Sequence, residues 1–141
     1  MNIIEIKTEE QLDEVLPVLQ QLRTTLTKEE ARVLFRRMKE GHYQLFSLIN
    51  ENGEAVSLAG VAVGTNFYNN KHVFVYDLVT AETYRSKGYG EALLSYIERW
   101  GKEQGCKCIA LTSSMQRVDA HRFYERAKYK KVSYSFWKEL K

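Results

Sequence analysis

The stretch from Val75 to Leu94, VYDLVTAETYRSKGYGEALL, constrains this chain more than any other. It begins with β-branched and aromatic residues, as a strand does, and ends in helical spacing; a glycine-bearing turn joins the two. A helix that opens there leaves its first N–H groups without partners, and its macrodipole makes that end positive. Gly88 and Gly90 put no side chain in the way of a ligand approaching the backbone. Arg85 and Lys87 add positive charge. The stretch therefore predicts an anion site of the kind that takes phosphate. It has neither the G-x-x-x-x-G-K-[ST] loop nor three glycines directly after a strand with an acidic residue about 20 positions on. On these residues alone, a turn that the glycines merely permit also stays open.

The rest of the chain supplies the frame. Asn2 to Ile6 is a short β-branched run. Thr8, with Gln11 as its capping-box partner, starts a helix whose apolar face is Leu12, Val15, Leu16, Leu19 and Leu22. Pro17 lies inside that pattern and predicts a kink or restart. Thr27 to Glu30 is a second capping box, opening a helix with Ala31, Leu34, Phe35 and Met38 on one face and Gly41 as its stop. Three strand-type runs follow: Tyr43 to Asn50, Ala55 to Thr65 and His72 to Thr80. Asn52-Gly53 between the first two marks a hairpin. Gly88 to Gln104 is helical, with Tyr89, Leu93, Tyr96, Ile97 and Trp100 on one face and Gly105 as its cap. Lys107 to Thr112 reads as a strand, Asp119 to Ala127 as a short helix, and Tyr129 to Leu140 as an aromatic-rich last strand. The element order is β-α-α-β-β-β-α-β-α-β. The step from 72–80 through 88–104 to 107–112 has the length of a crossover, so its two strands should be parallel and right-handedly connected. The strands before it suit an antiparallel meander rather than a doubly wound nucleotide fold.

The 141 residues fit one domain, residues 1–141, with enough core to stand without disulfides or metal. The net charge of +3 is far from that of most nucleic-acid binders, so no nucleic acid is expected as a partner. Lys28, Arg32, Arg36, Arg37 and Lys39 on the helix from Thr27 read as a solvated face. Cys106 and Cys108 read as strand thiols on one face, about 6.5–7 Å apart and too far for a bridge. There is no secretory h-region and no run of 18 apolar residues, so a cytoplasmic location without membrane association is expected. His42 and His72 lack metal-ligand partners at useful spacing, and no metal is expected.

Asp77-Leu78-Val79-Thr80 followed by Arg85-Ser86-Lys87-Gly88-Tyr89-Gly90-Glu91-Ala92-Leu93-Leu94 resembles the acetyl-CoA-binding motif of the GNAT superfamily of N-acetyltransferases. Ala120-His121-Arg122-Phe123-Tyr124-Glu125 resembles its second motif, and the two stand in the right order and separation. The resemblance covers nearly the whole chain. It implies an α/β (α+β) GNAT fold: a mixed, mostly antiparallel sheet, a parallel, splayed pair of fourth and fifth strands after a bulge in the fourth, and about four helices. It implies acetyl-CoA as co-substrate, with the pantetheine arm along Leu78, Val79 and Thr80. The pyrophosphate would rest on the main chain of Arg85, Ser86, Lys87, Gly88, Tyr89 and Gly90, and Ser113 would touch the cofactor.

In that resemblance Tyr124 is the general acid that protonates the departing thiolate. Asp77 is the first choice for the base, Glu82 a distant second, and His121 is structural. Arg117 to Tyr124, with Phe136 to Leu140, is similar to acetyltransferases of small primary amines, including aminoalkylphosphonates, so the expected partner is a small-molecule amine acceptor. A protein or peptide amine is the runner-up, and a catalytically silent CoA-binding module a different class. Glu29, Glu30 and Glu40 would attract a polyamine, and Arg32 or Arg36 an acidic amine. A homodimer is common in the family. The chain departs from the usual pattern at Lys128-Tyr129, where many members have Gly-Phe or Gly-Tyr; this bears on the turn into the last strand.

Overall fold

The computed structural model describes residues 2–141. The chain divides into two compact units, one reaching to Ala110 and the other running from Leu111 to Lys141.

The first unit is a sheet covered by helices. Its strands are β1 (Asn2–Ile6), β2 (Gln44–Ile49), β3 (Ala55–Asn66), β4 (Asn70–Thr80) and β5 (Cys108–Leu111), in that spatial order, the last running out of the unit. β1 to β4 pair antiparallel, and β5 runs parallel to β4. Lys107 N–H donates to the Lys71 carbonyl (2.7 Å) where the two begin.

Residues adjacent on a strand face opposite ways, so β2 divides the core in two. Leu45 joins Leu58, Val79 and the apolar faces of α1 (Glu9–Leu22) and α2 (Lys28–Glu40). Phe46, its neighbour, meets Tyr96 and Trp100 of α3 (Tyr89–Glu103) edge-on at 5.8 and 5.5 Å. α1 and α2 thus cover one face and α3 the other.

Both capping boxes form: Thr8 with Gln11, and Thr27 with Glu30. The predicted restart at Pro17 does not occur, and α1 runs through it unbroken. A proline inside a helix costs about 3 kcal/mol. Leu12, Val15, Leu16, Val18 and Leu19 are all buried around it, at roughly 1.5–3 kcal/mol for each large side chain, and that burial wins. At the end of α2 the left-handed residue is His42 (φ +70°), one past Gly41. Tyr43 N–H reaches the Met38 carbonyl and His42 N–H that of Lys39, a Schellman ending that passes over the glycine.

In the second unit α4 (Val118–Arg126) closes the same way. Tyr129 N–H bonds to the Tyr124 carbonyl (2.9 Å) and Lys128 N–H to that of Glu125 (3.0 Å), with Lys128 left-handed at φ +74°. The turn keeps the shape a glycine would give it, at a strain of about 1–2 kcal/mol. The predicted last strand over Tyr129 to Leu140 is absent. Its residue types suit a strand, but a strand exists only where a neighbour supplies a ladder. Phe136 is instead 93% exposed and Trp137 86%. Cys106 precedes β5 rather than lying on it, and both cysteines are free.

Candidate active site

β4 carries a bulge. Gly60 pairs with Asp77 and Val61 with Val75, so Tyr76 has no partner on β3. A bulge bends its strand and re-aims side chains. Arg23, the C-cap of α1, fills the irregularity with its fork. Its Nη2 donates to the Tyr76 carbonyl (2.8 Å) and lies 2.9 Å from Asp77 Oδ1, to which Nε also donates (3.0 Å). The Tyr43 hydroxyl donates to Asp77 Oδ2 (2.8 Å). Asp77 is only 8% exposed. A carboxylate has about four lone-pair positions; Arg23 takes those on Oδ1, and Tyr43 leaves one on Oδ2. Burial, together with the neighbouring Asp77 charge, holds the Tyr43 phenol well above its ordinary range.

The sequence points to neither Arg23 nor Tyr43 as a partner of Asp77. They lie 54 and 34 positions from Asp77, and no local pattern links them. One signal was present in Gly60: a Cβ there would stand 2.5 Å from Tyr43 Cζ and 2.8 Å from Cε1, with the hydroxyl closer still. A glycine inside a strand marks close approach of this kind.

Beyond Asp77, β4 continues through Leu78, Val79 and Thr80. Ser57 Oγ, across on β3, donates to the Val79 carbonyl (3.0 Å) and lies 3.0 Å from Thr80 Oγ1. A short 3-10 turn (Glu82–Tyr84) follows. Glu82 is exposed, and its N–H is taken by Gln21 Oε1 (2.7 Å).

The loop before α3 has the predicted form. Ser86 (φ +64°) and Gly88 (φ +84°) are both left-handed, and no side chain caps the helix. Among the described residues, the N–H groups of residues 86 to 91 donate to no acceptor in the chain. Residues 85 to 88 are exposed. Six successive free amides at a helix start form a concentrated donor array. Arg85 folds back, its Nε donating to the Thr80 carbonyl (3.2 Å). Lys87 Nζ lies 5.9 Å from the centre of the Tyr84 ring. The arginine therefore ties the loop to the end of β4 as well as supplying charge.

In the second unit Tyr124 is buried, its ring 5.4 Å from Phe123 and 6.0 Å from Tyr129. Burial raises its phenol above the ordinary value, with Arg117 pulling the other way, so it keeps its proton at neutral pH. The Ser113 hydroxyl has no hydrogen-bond partner among the described residues. His121 Nε2 lies 2.8 Å from the Ser114 carbonyl, a structural contact.

Three of the five cations of α2 are engaged with α1, Lys39 reaches back to the strand-to-helix turn, and Arg37 is exposed with no ion pair among the described residues. Arg32 pairs with Asp13 and Glu9, Arg36 with Glu9 and Lys28 with Asp13; Lys39 Nζ donates to the Lys7 carbonyl (2.6 Å). Lys28, Arg32 and Arg36 hold the two helices together, and Arg32 and Arg36 are not free to draw in an acidic amine. No helix among the described residues is long and apolar enough to cross a membrane.

A family profile described as "Acetyltransferase (GNAT) family" matches residues 8–129. An uncharacterized N-acetyltransferase of Bacillus subtilis, YhdJ, is 35% identical over 125 residues, 88% of this chain and 87% of its own. An aminoalkylphosphonate N-acetyltransferase of Salmonella typhimurium is 29% identical over 100 residues, covering 70% of this chain and 63% of its own. A solved aminoglycoside N-acetyltransferase, AAC(6')-Iy in complex with CoA, superposes with a TM-score of 0.85 at 15% identity, covering 99% of this chain and 93% of its own.

Proposed function

The chain belongs to the GNAT family of acetyltransferases, and on that footing we propose that it moves an acetyl group from acetyl-CoA to the primary amine of a small molecule. Residues 1–141 act in this reading as one catalytic domain, in keeping with a family match that spans both units. The observation that carries the proposal is the array of free amides at the head of α3, in the loop that leads from β4 and its 3-10 turn into the helix. Backbone N–H groups at such a position suit a diphosphate, and coenzyme A presents one.

Each group of the chain then has a task. Ser86 to Gly90 hold the pyrophosphate by main chain, with Lys87 and Arg85 adding charge. Leu78, Val79 and Thr80 offer the edge along which the pantetheine arm lies, and Ser113 adds a hydroxyl to it. Coenzyme A supplies the acyl group as a thioester. The acceptor nitrogen forms a bond to the thioester carbonyl carbon, the C–S bond breaks, and the sulfur takes a proton. Tyr124, kept protonated by burial, gives that proton. The amine loses one in turn. Asp77 receives it, directly or through water, on the Oδ2 position that Tyr43 leaves open.

The relatives named for aminoalkylphosphonates and aminoglycosides support a small-molecule acceptor over a peptide. A screen of amines and peptides with acetyl-CoA, following free thiol, tests this. Turnover with a small amine that falls at least tenfold in Tyr124→Phe is expected. Turnover with peptides alone, or CoA binding without turnover on any amine, overturns it.

A further inference from the structure

A cavity of about 370 Å³ lies in the first unit, between α1, α2 and the sheet. Leu26, Leu34, Phe35 and Met38 form much of its wall, and Asp77 with Arg23 is its polar end. Leu34 is 45% exposed, an apolar residue left in water beside the opening. The ionised groups on the lining are Arg23, Glu30 and Asp77, so the formal charge is −1. Arg23 is already committed to Asp77 and to the Tyr76 carbonyl. Glu30 is fixed by its capping box with Thr27. The cavity therefore has a place for one ammonium, no spare cation for an acid group, and few partners for hydroxyls.

Resting on the acetyltransferase reading, we propose that the acceptor is a primary amine with a hydrocarbon body, an alkyl- or arylalkylamine without acid groups. Its ammonium lies at Asp77 Oδ2 and its tail in this cavity. An apolar cavity of roughly 150 Å³ holds a benzene ring, so this one takes a ring with a short chain. A polyhydroxylated amine would leave its hydroxyls unpaired against leucines, and a phosphonate would meet Glu30 and Asp77 with no free cation.

Calorimetry tests this independently of turnover. Propylamine, butylamine, pentylamine, hexylamine and 4-phenylbutylamine are titrated into the protein, against 2-aminoethylphosphonate and an aminoglycoside. Affinity should rise about fourfold per added methylene, the equivalent of about 0.8 kcal/mol, until the cavity is full. Met38→Trp should shorten the best chain, and Leu34→Glu should weaken 4-phenylbutylamine at least tenfold, with coenzyme A affinity unchanged in both. Affinity that does not depend on chain length, or tighter binding of the phosphonate or aminoglycoside, overturns the proposal and leaves the acetyltransferase reading standing. Chain-length dependence with no acetyl transfer to these amines makes the cavity's ligand something other than the acceptor and overturns the proposal, while the acetyltransferase reading stands or falls by its own screen.

Discussion

Replacing Gly60 by alanine tests the Tyr43–Asp77 link at the point where the backbone makes it possible. The added methyl would lie 2.5 Å from Tyr43 Cζ, so the ring has to leave. Overpacking of this kind costs about 1–3 kcal/mol. Losing a buried hydrogen bond to a charged group costs about 1.5–3 kcal/mol. Alanine returns about 0.5–1 kcal/mol over glycine inside a strand. The sum is a loss of about 3 kcal/mol, which lowers a urea midpoint by about 1.5 M for a slope near 2 kcal/mol/M. The sign should reverse once the ring is gone. In a Tyr43→Ala background the same substitution has room and should stabilise by about 0.5–1 kcal/mol. Equilibrium urea unfolding of the four proteins, followed by circular dichroism, closes the cycle. An equal loss in both backgrounds, or no loss in either, would refute the steric argument.

Other outcomes follow from the same geometry. Lys128→Gly should raise stability by about 1 kcal/mol by relieving the left-handed strain at φ +74°; a thermal midpoint that does not rise would contradict this. Tyr43→Phe bears on the alkaline limb. The Tyr43 pKa is raised by burial, so its contribution is intact below the unfolded value near 10 and is lost as pH climbs above it. The wild type should lose up to about 1.4 kcal/mol more per pH unit there than the variant. Denaturant midpoints from pH 9 to 11 read the difference, and parallel slopes would sink it. Gly88→Glu should reduce coenzyme A affinity more than tenfold in calorimetry, since it sets a carboxylate among the free amides. Open space around that position leaves only backbone strain of about 1–2 kcal/mol, so the variant remains folded.

Much of this was legible locally. The capping boxes, the Asn52-Gly53 hairpin and the switch from β4 to α3 are each written within a few residues, because the physics that makes them is local. The restart read from Pro17 fails because tertiary burial outweighs a local penalty. Tyr129 to Leu140 misled because residue type states a preference for pairing without supplying the pair. At His42 and Lys128 the left-handed residue is not the glycine that a pattern would choose; the hydrogen bonds of the preceding turn select the position. Asp77 could be picked out as a carboxylate on the right strand, but its surroundings could not. Arg23 and Tyr43 reach it only through the packing of α1 and β2 on β4.

The seam between α1 and α2 is made at its surface by Arg32, Arg36 and Lys28 against Asp13 and Glu9, and these two helices roof the cavity. Mobile ions shorten the reach of such charges from about 10 Å at 0.1 M to about 3 Å at 1 M, while the more sheltered Asp77 feels them less. Ionic strength thus becomes a dial on the lid rather than on the chemistry beneath it. Amide exchange in α2 that quickens between dilute and concentrated buffer, with β4 unmoved, would register that dial directly.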